Sequence, residues 1–236
     1  MLSNLWGLGS ILFFVARLVY HSSQANNFFL VMREFTKGLL LGATAIVGGA
    51  YQAVACTGIS LTATDGSYVQ ARTIEWSRGE LKSEYVIIPR NESLQSYTPT
   101  GLNGIKWRAK YGTVGMAVVE KEFIAEGINE KGLSAGLFFF PQYGSYVPYN
   151  SVNDNHTLAD LQIVQWMLTT CATIDEVKRA VQDVAIIGLE TSSVVHWRIG
   201  EPSGKQVVME IVDGKVHFYD NDVGVLTNAP GFEWHL

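Results

Sequence analysis

Cys56 is the residue around which chemistry can be built. It follows Ala53-Val54-Ala55, a small-x-small triplet of the kind signal peptidase cuts. Cleavage there would leave one residue carrying both a thiol and a free α-amine. Such an amine, with an ordinary pKa of about 7.7–8.0, can act as general base for its own side chain. Two charged residues are placed to assist. Arg72 and Glu75 lie near the end of a strand that hairpins back past Cys56. A guanidinium beside the thiol would favour thiolate, and a carboxylate beside the amine would orient it. Strand alternation puts Arg72 and Glu75 on opposite faces, so an ordinary surface ion pair stays open as the competing reading. The other cysteine, Cys171, sits near a helix end and reads as a small buried hydrophobe. Phe138, Phe139, Phe140, Tyr143 and Tyr146, with Trp76, could line an apolar pocket. Substrate contacts are assigned among them to Trp76, Phe138 and Tyr143, although core strand is the preferred reading for Phe138 and Phe140.

Several other chemistries are excluded or disfavoured. The five histidines are scattered, with no HExxH and no Cys-x-x-Cys, so no metal site is expected. There is no Gly-rich phosphate loop and no GxSxG elbow. The formal net charge is −5 and no block of lysines or arginines occurs, which argues against a nucleic-acid binder. At 47% hydrophobic residues the chain can build a sizeable core, and two cysteines cannot make a disulfide framework.

The first 55 residues read as an address rather than as a globular segment. They hold only Arg17, Arg33, Glu34 and Lys37 of the charged residues. Met32 opens a second start, with Arg33 and Lys37 as a basic n-region and Leu39–Ala50 as an apolar run of h-region length. Residues 1–55 are therefore taken as the signal-peptide region, with the true start at Met32. The mature protein is then exported, periplasmic or secreted, and begins at Cys56. In the rival reading the whole segment is genuine and Leu5–Ala16 contributes to an anchor, but that run is shorter than the roughly 20 residues a spanning helix needs. A cysteine at the first mature position also suits a lipoprotein, in which lipidation would consume the thiol and leave a lipid-anchored, non-catalytic binding protein.

The elements that must position these residues form one domain, residues 56–236. Gly58–Ala63 and Tyr68–Trp76 read as a hairpin about Asp65-Gly66. Tyr85–Pro89, Lys106–Val119 (a hairpin about Gly112) and Leu133–Phe140 read as further strands. Leu158, Leu161, Ile163, Val164, Met167 and Leu168 mark a helix. Thr173 and Glu176 form a capping box for a second one. Strands resume at Ser193–Ile199, Gln206–Val212 and Lys215–Tyr219, with a turn at Asp213-Gly214, and end at Val223–Thr227. Strands, two helices, then strands argue for an α+β fold with antiparallel sheets.

Four separated stretches in order also resemble a known family. They are Cys56-Thr57, Ala71-Arg72-Thr73-Ile74-Glu75-Trp76, Gly127-Ile128-Asn129-Glu130-Lys131-Gly132-Leu133, and Gly224-Val225-Leu226-Thr227-Asn228-Ala229-Pro230. From Cys56 onward the chain resembles the choloylglycine hydrolase family, which includes bile salt hydrolases, penicillin V acylases and N-acyl homoserine lactone acylases. The resemblance implies the four-layer αββα sandwich of N-terminal nucleophile hydrolases. It implies hydrolysis of linear amides with an apolar acyl group, through a thioester on Cys56. Arg72 matches the arginine near the thiol, and Glu75 stands where the family usually has aspartate. Asn228 matches the asparagine whose side-chain N–H binds the oxyanion. The second donor is a backbone N–H at the position of Phe139. No cofactor or metal is implied, and a homo-oligomer is allowed for. Family members continue well beyond the position of Leu236, so the chain is read as C-terminally incomplete, with a truncated pseudoenzyme as a further alternative.

Overall fold

A computed structural model of the 236-residue chain describes residues 56–75, 80–189 and 194–236. The expected signal region and Trp76 lie outside the described residues.

The largest element is a seven-stranded sheet. In spatial order it runs β13 (Lys215–Asp220), β12 (Gln206–Val212), β11 (Val195–Gly200), β8 (Ser134–Phe139), β7 (Glu120–Asn129), β6 (Thr113–Val118) and β3 (Glu84–Ile88), with every neighbouring pair antiparallel. A three-stranded sheet orders β14 (Val225–Leu226), β1 (Thr57–Thr62) and β2 (Tyr68–Thr73), also antiparallel. Two short ribbons complete the strands. One pairs β4 (Ser93–Gln95) with β5 (Lys106–Arg108); the other pairs β9 (Thr157–Ala159) in parallel with β10 (Ala185–Ile187). Among the described residues the α-helices are α1 (Ile163–Thr170) and α2 (Ile174–Ala180), beside short 3-10 turns.

Side-chain alternation on the central strands shows what lies on each face. Trp197, Ile199, Val207, Met209 and Ile211 join Ile163, Val164, Met167 and Leu168 of α1 in the main core. The intervening positions face the other way, where Phe138 and Val208 pack with Cys56, Leu226 and Phe232 in a second cluster. Strand β11 is buried along its whole length, as expected of a strand covered on both faces. Each large apolar side chain enclosed in this way contributes about 1.5–3 kcal/mol relative to exposure.

Turn chemistry sets the hairpins. Asp65 Oδ1 accepts from the Ser67 N–H at 2.9 Å and Gly66 takes φ +84°, which closes the β1–β2 connection. Asp213 and Gly214 take φ +51° and +69°, as the tight turn between β12 and β13 requires. Thr173 Oγ1 accepts from the Glu176 N–H at 3.1 Å, the capping bond expected of this pair.

Two expectations are corrected, and one strand was not expected. Leu158 belongs to β9, and α1 starts only at Ile163, because the 157–159 backbone pairs with β10 instead of coiling. Lys106–Val119 is not a hairpin: β5 pairs with β4, whereas β6 pairs with β3 and β7. Glu120–Asn129 is a strand that the pattern did not show, since Glu120, Lys121, Glu122 and Glu126 mask its alternation.

Candidate active site

The strand register assembles the site. In β1, Gly58 pairs with Arg72 of β2 on one side and with Leu226 of β14 on the other. Strand β14 ends at Leu226, which packs with Cys56, and Asn228 follows two residues later. Gly58 is obligatory here: a Cβ would come 2.6 Å from the Phe138 ring and 2.8 Å from the Arg198 guanidinium. That close approach lowers the β1 sheet onto Phe138.

Cys56 is 6% exposed and packs with Phe138, Val208, Leu226 and Phe232. The Arg72 guanidinium lies over the same Phe138 ring against which Cys56 packs. Arg72 Nη1 donates to the carbonyls of Leu137 and Ala125, the latter at 3.2 Å, and the guanidinium lies 4.2 Å over the Phe138 ring. Below it Glu126 faces two cations. Glu126 Oε1 is 3.0 Å from Arg198 Nη2, and Oε2 is 3.8 Å from Arg72 Nη1. Burial pulls the Arg72 guanidinium below its ordinary value, and the negative charge of Glu126 pulls it back. Burial likewise pushes the Glu126 carboxyl up, against Arg198 and Arg72. Gly136 makes room for it, because a Cβ there would collide with the Glu126 carboxylate.

Asn228 is anchored from two directions. Its Oδ1 accepts from the Phe139 N–H at 3.1 Å, which ties the segment after β14 to the end of β8. One residue earlier, the Thr227 carbonyl is 3.0 Å from Nε2 of the fully buried His196.

The structure brings Cys56, Arg72, Phe139 and Asn228 together and treats the remaining candidates differently. Glu75, past the end of β2, is exposed, whereas Arg72 two strand positions before Ile74 is buried. Phe138 is fully enclosed beneath Cys56 and between the two guanidinium groups, so its ring has no free surface for a substrate. Phe140 is also fully buried and stacks on His196 with 4.3 Å between centroids. Tyr143 is exposed and stacks on Phe140 at 5.9 Å. Tyr146 is held by Val195: its hydroxyl donates to the carbonyl at 3.1 Å and accepts the N–H at 2.9 Å. Cys171 is a core residue at the end of α1, and burial raises its thiol.

Sequence reasoning missed Glu126, His196, Arg198 and Glu210. Their signal was faint but present. Arg198 and His196 alternate with Trp197 and Ile199, and a charged residue in a strand bounded by large apolar ones is either buried and partnered or misassigned. A groove of about 620 Å³, lined by Tyr85, Val114, Met116, Ile128 and Pro202, opens beside Arg72 and Glu126. Cys56 does not line it.

A thiol at a strand end and a guanidinium packed on one phenylalanine ring, with an amide side chain bonded to the next backbone N–H, over two packed sheets, define an N-terminal nucleophile hydrolase sandwich. The chain belongs to the choloylglycine hydrolase family of linear amide C–N hydrolases, whose family model matches residues 56–236. It is 30% identical over 190 residues to a bile salt hydrolase/transferase of Clostridium perfringens, covering 77% of this chain and 55% of that protein. A bile salt hydrolase/transferase of Bifidobacterium longum is 28% identical over 185 residues, covering 77% and 57%. Among solved structures, the conjugated bile acid hydrolase of Clostridium perfringens superposes with a TM-score of 0.64 at 30% identity, covering 76% of this chain and 55% of the other. Penicillin V acylase from Agrobacterium tumefaciens superposes with a TM-score of 0.65 at 24% identity, covering 76% and 54%, and shows the fold. The chain spans about half the length of the curated relatives it matches.

Proposed function

We propose that the protein hydrolyses the linear amide bond of a small molecule with an apolar acyl group, using Cys56 as nucleophile. The observation that carries this reading is the packing of Cys56 and the Arg72 guanidinium against one Phe138 ring, with Asn228 bonded to the neighbouring Phe139 N–H. In the proposed reaction the Cys56 thiol gives its proton to its own α-amine, and the sulfur attacks the substrate carbonyl. The Phe139 N–H and the Asn228 side-chain amide hold the oxyanion, each donor being worth about 2.7–4 kcal/mol. The protonated α-amine hands its proton to the leaving nitrogen, and the C–N bond breaks to leave a thioester. The amine then draws a proton from water, which attacks the thioester and releases the acid and the free thiol.

The Ala53-Val54-Ala55 triplet before Cys56 supports cleavage after Ala55, and export to the periplasm or medium is proposed with it. Bile salts, penicillin V and N-acyl homoserine lactones are the substrate classes proposed, the first named for the relatives above. Replacing Cys56 by serine tests the assignment. The Cys56→Ser protein should keep its fold by circular dichroism and lose turnover on all three substrate classes. Retention of most of the activity would remove Cys56 from the role of nucleophile.

A further inference from the structure

His196 and Glu210 form a buried polar pair that the reaction above does not use. They are opposite each other on β11 and β12, one step beyond the Trp197–Met209 pair. His196 Nδ1 is 3.0 Å from Glu210 Oε1, and on the far side of the ring Nε2 is 3.0 Å from the Thr227 carbonyl. Both side chains are essentially sealed from solvent, and the ring lies flat on Phe140 at an interplanar angle of 7°. Burying two such groups is costly unless they are partnered, so their bonds define what they hold.

Both ends of one segment are held. A carbonyl can only accept, so Nε2 must carry a proton and donate to Thr227. A second proton lies between Nδ1 and Glu210 Oε1. The same Oε1 accepts from the Phe232 N–H at 2.8 Å. Thr227 and Phe232 bracket the stretch that carries Asn228, which itself meets the Phe139 N–H.

We propose that His196 and Glu210 are positioning residues that clamp Thr227 and Phe232 and so set the Asn228 amide against the Phe139 N–H. The proposal rests on the reading of Asn228 as an oxyanion donor, but its geometric content stands without it.

Two substitutions separate the clamp from general stability. In His196→Gln the side-chain amide nitrogen falls near the place of Nε2 and can still donate to Thr227. In His196→Asn it falls near Nδ1, keeps the bond to Glu210 and abandons Thr227. Both lose the stack on Phe140. Each is made in the full chain, and kcat and KM are measured per folded molecule. His196→Asn should lower kcat by about tenfold or more with KM within about twofold, and His196→Gln should lie much nearer the parent. Equal kcat in the two variants overturns the proposal.

Hydrogen exchange followed by mass spectrometry gives a readout free of activity. Residues 225–232 should exchange faster in His196→Asn than in His196→Gln or the parent. If the parent hydrolyses no amide, the proposed function fails and this exchange pattern alone decides the clamp. If His196→Asn does not fold, Glu210→Gln takes its place. Its neutral amide oxygen is a weaker acceptor than a carboxylate for the Phe232 N–H and for Nδ1, which loosens the hold on the segment. Faster exchange in residues 225–232 of Glu210→Gln supports the clamp, and unchanged exchange refutes it.

Discussion

The Phe139 N–H donates to Asn228 Oδ1 at 3.1 Å, joining the end of β8 to the segment after β14 beside Cys56. In this arrangement the two expected oxyanion donors are paired with each other. A half-turn of the Asn228 amide exchanges Oδ1 for Nδ2 and leaves two N–H groups facing one acceptor. A substrate carbonyl would therefore replace Oδ1 as the partner of Phe139.

This exchange makes Asn228 testable in two ways. Asn228→Ala should lower kcat by about 10²–10³ with little change in KM, as for other lost oxyanion donors. Asn228→Asp keeps an acceptor for the Phe139 N–H but has no donor and adds a charge, so it should be at least as inactive. A raised KM at unchanged kcat in Asn228→Ala would make the residue a substrate-binding group instead.

Glu126 should be needed for stability. Its removal leaves the Arg72 and Arg198 guanidinium groups buried around Phe138 with no intervening anion. Breaking such an arrangement by deleting one partner should cost about 3–5 kcal/mol in Glu126→Gln, measured by urea denaturation. A change below about 0.5 kcal/mol would mean that solvent already screens the cluster.

The parts legible in sequence were those encoded locally. Asp65-Gly66, Asp213-Gly214 and the Thr173–Glu176 box announce their turns and cap because each acts within a few residues. Cys56 stood out through the cleavage triplet before it, and Phe139 and Asn228 entered through resemblance. What stayed hidden depends on pairing at long range. Nothing near Leu158 says that its backbone will pair with Ile186 across the helices, and apolar spacing at 158, 161 and 163 fits a helix equally well. Glu126 reads as surface because it is charged, yet two arginines from strands β2 and β11 enclose it. Face alternation accounts for the inward Arg72 within β2, whereas Glu75 lies past the end of that strand and is exposed there.

Asp160 should give the fold a distinctive pH dependence. Burial pushes its carboxyl up to about 7, against the N–H groups of Leu161 and Leu189 that both donate to Oδ1. The folded value lies above the unfolded one of 3.8, so the folded state holds this proton more tightly. Stability from this group is full below about pH 4 and is lost as pH rises to about 7. The loss has an upper bound on the order of 4 kcal/mol. Asp160→Asn keeps an oxygen for both N–H groups and cannot ionise. The unfolding free energy of the parent relative to Asp160→Asn should therefore fall between pH 4.5 and pH 7.5, by roughly 2–4 kcal/mol. A constant difference across that range would show that Asp160 titrates normally.

Processing is the most demanding requirement of the proposed reaction. With Ala55 attached, the nitrogen of Cys56 is an amide: it has no basic lone pair and cannot carry a proton from the thiol to the leaving group. An ordinary thiol, with a pKa of about 8.5, is only a few per cent thiolate at neutral pH. Arg72 can assist the anion but cannot protonate an amine that departs. Two proteins with the same C-terminus settle the point, one begun at Met-Cys56, where methionine aminopeptidase can expose the cysteine, and one begun at Met-Ala55-Cys56. Mass spectrometry should verify each mature N-terminus and show a free Cys56 in the first, and a diacylglyceryl adduct on its natural form would support the lipid-anchored alternative. Hydrolysis is then compared on bile-salt, penicillin V and acyl-lactone amides. The form that starts at Cys56 should turn over at least one class, and the form that retains Ala55 should be inactive on all. Equal activity with Ala55 verified in place would remove the α-amine from the mechanism, even if Cys56 itself remained essential.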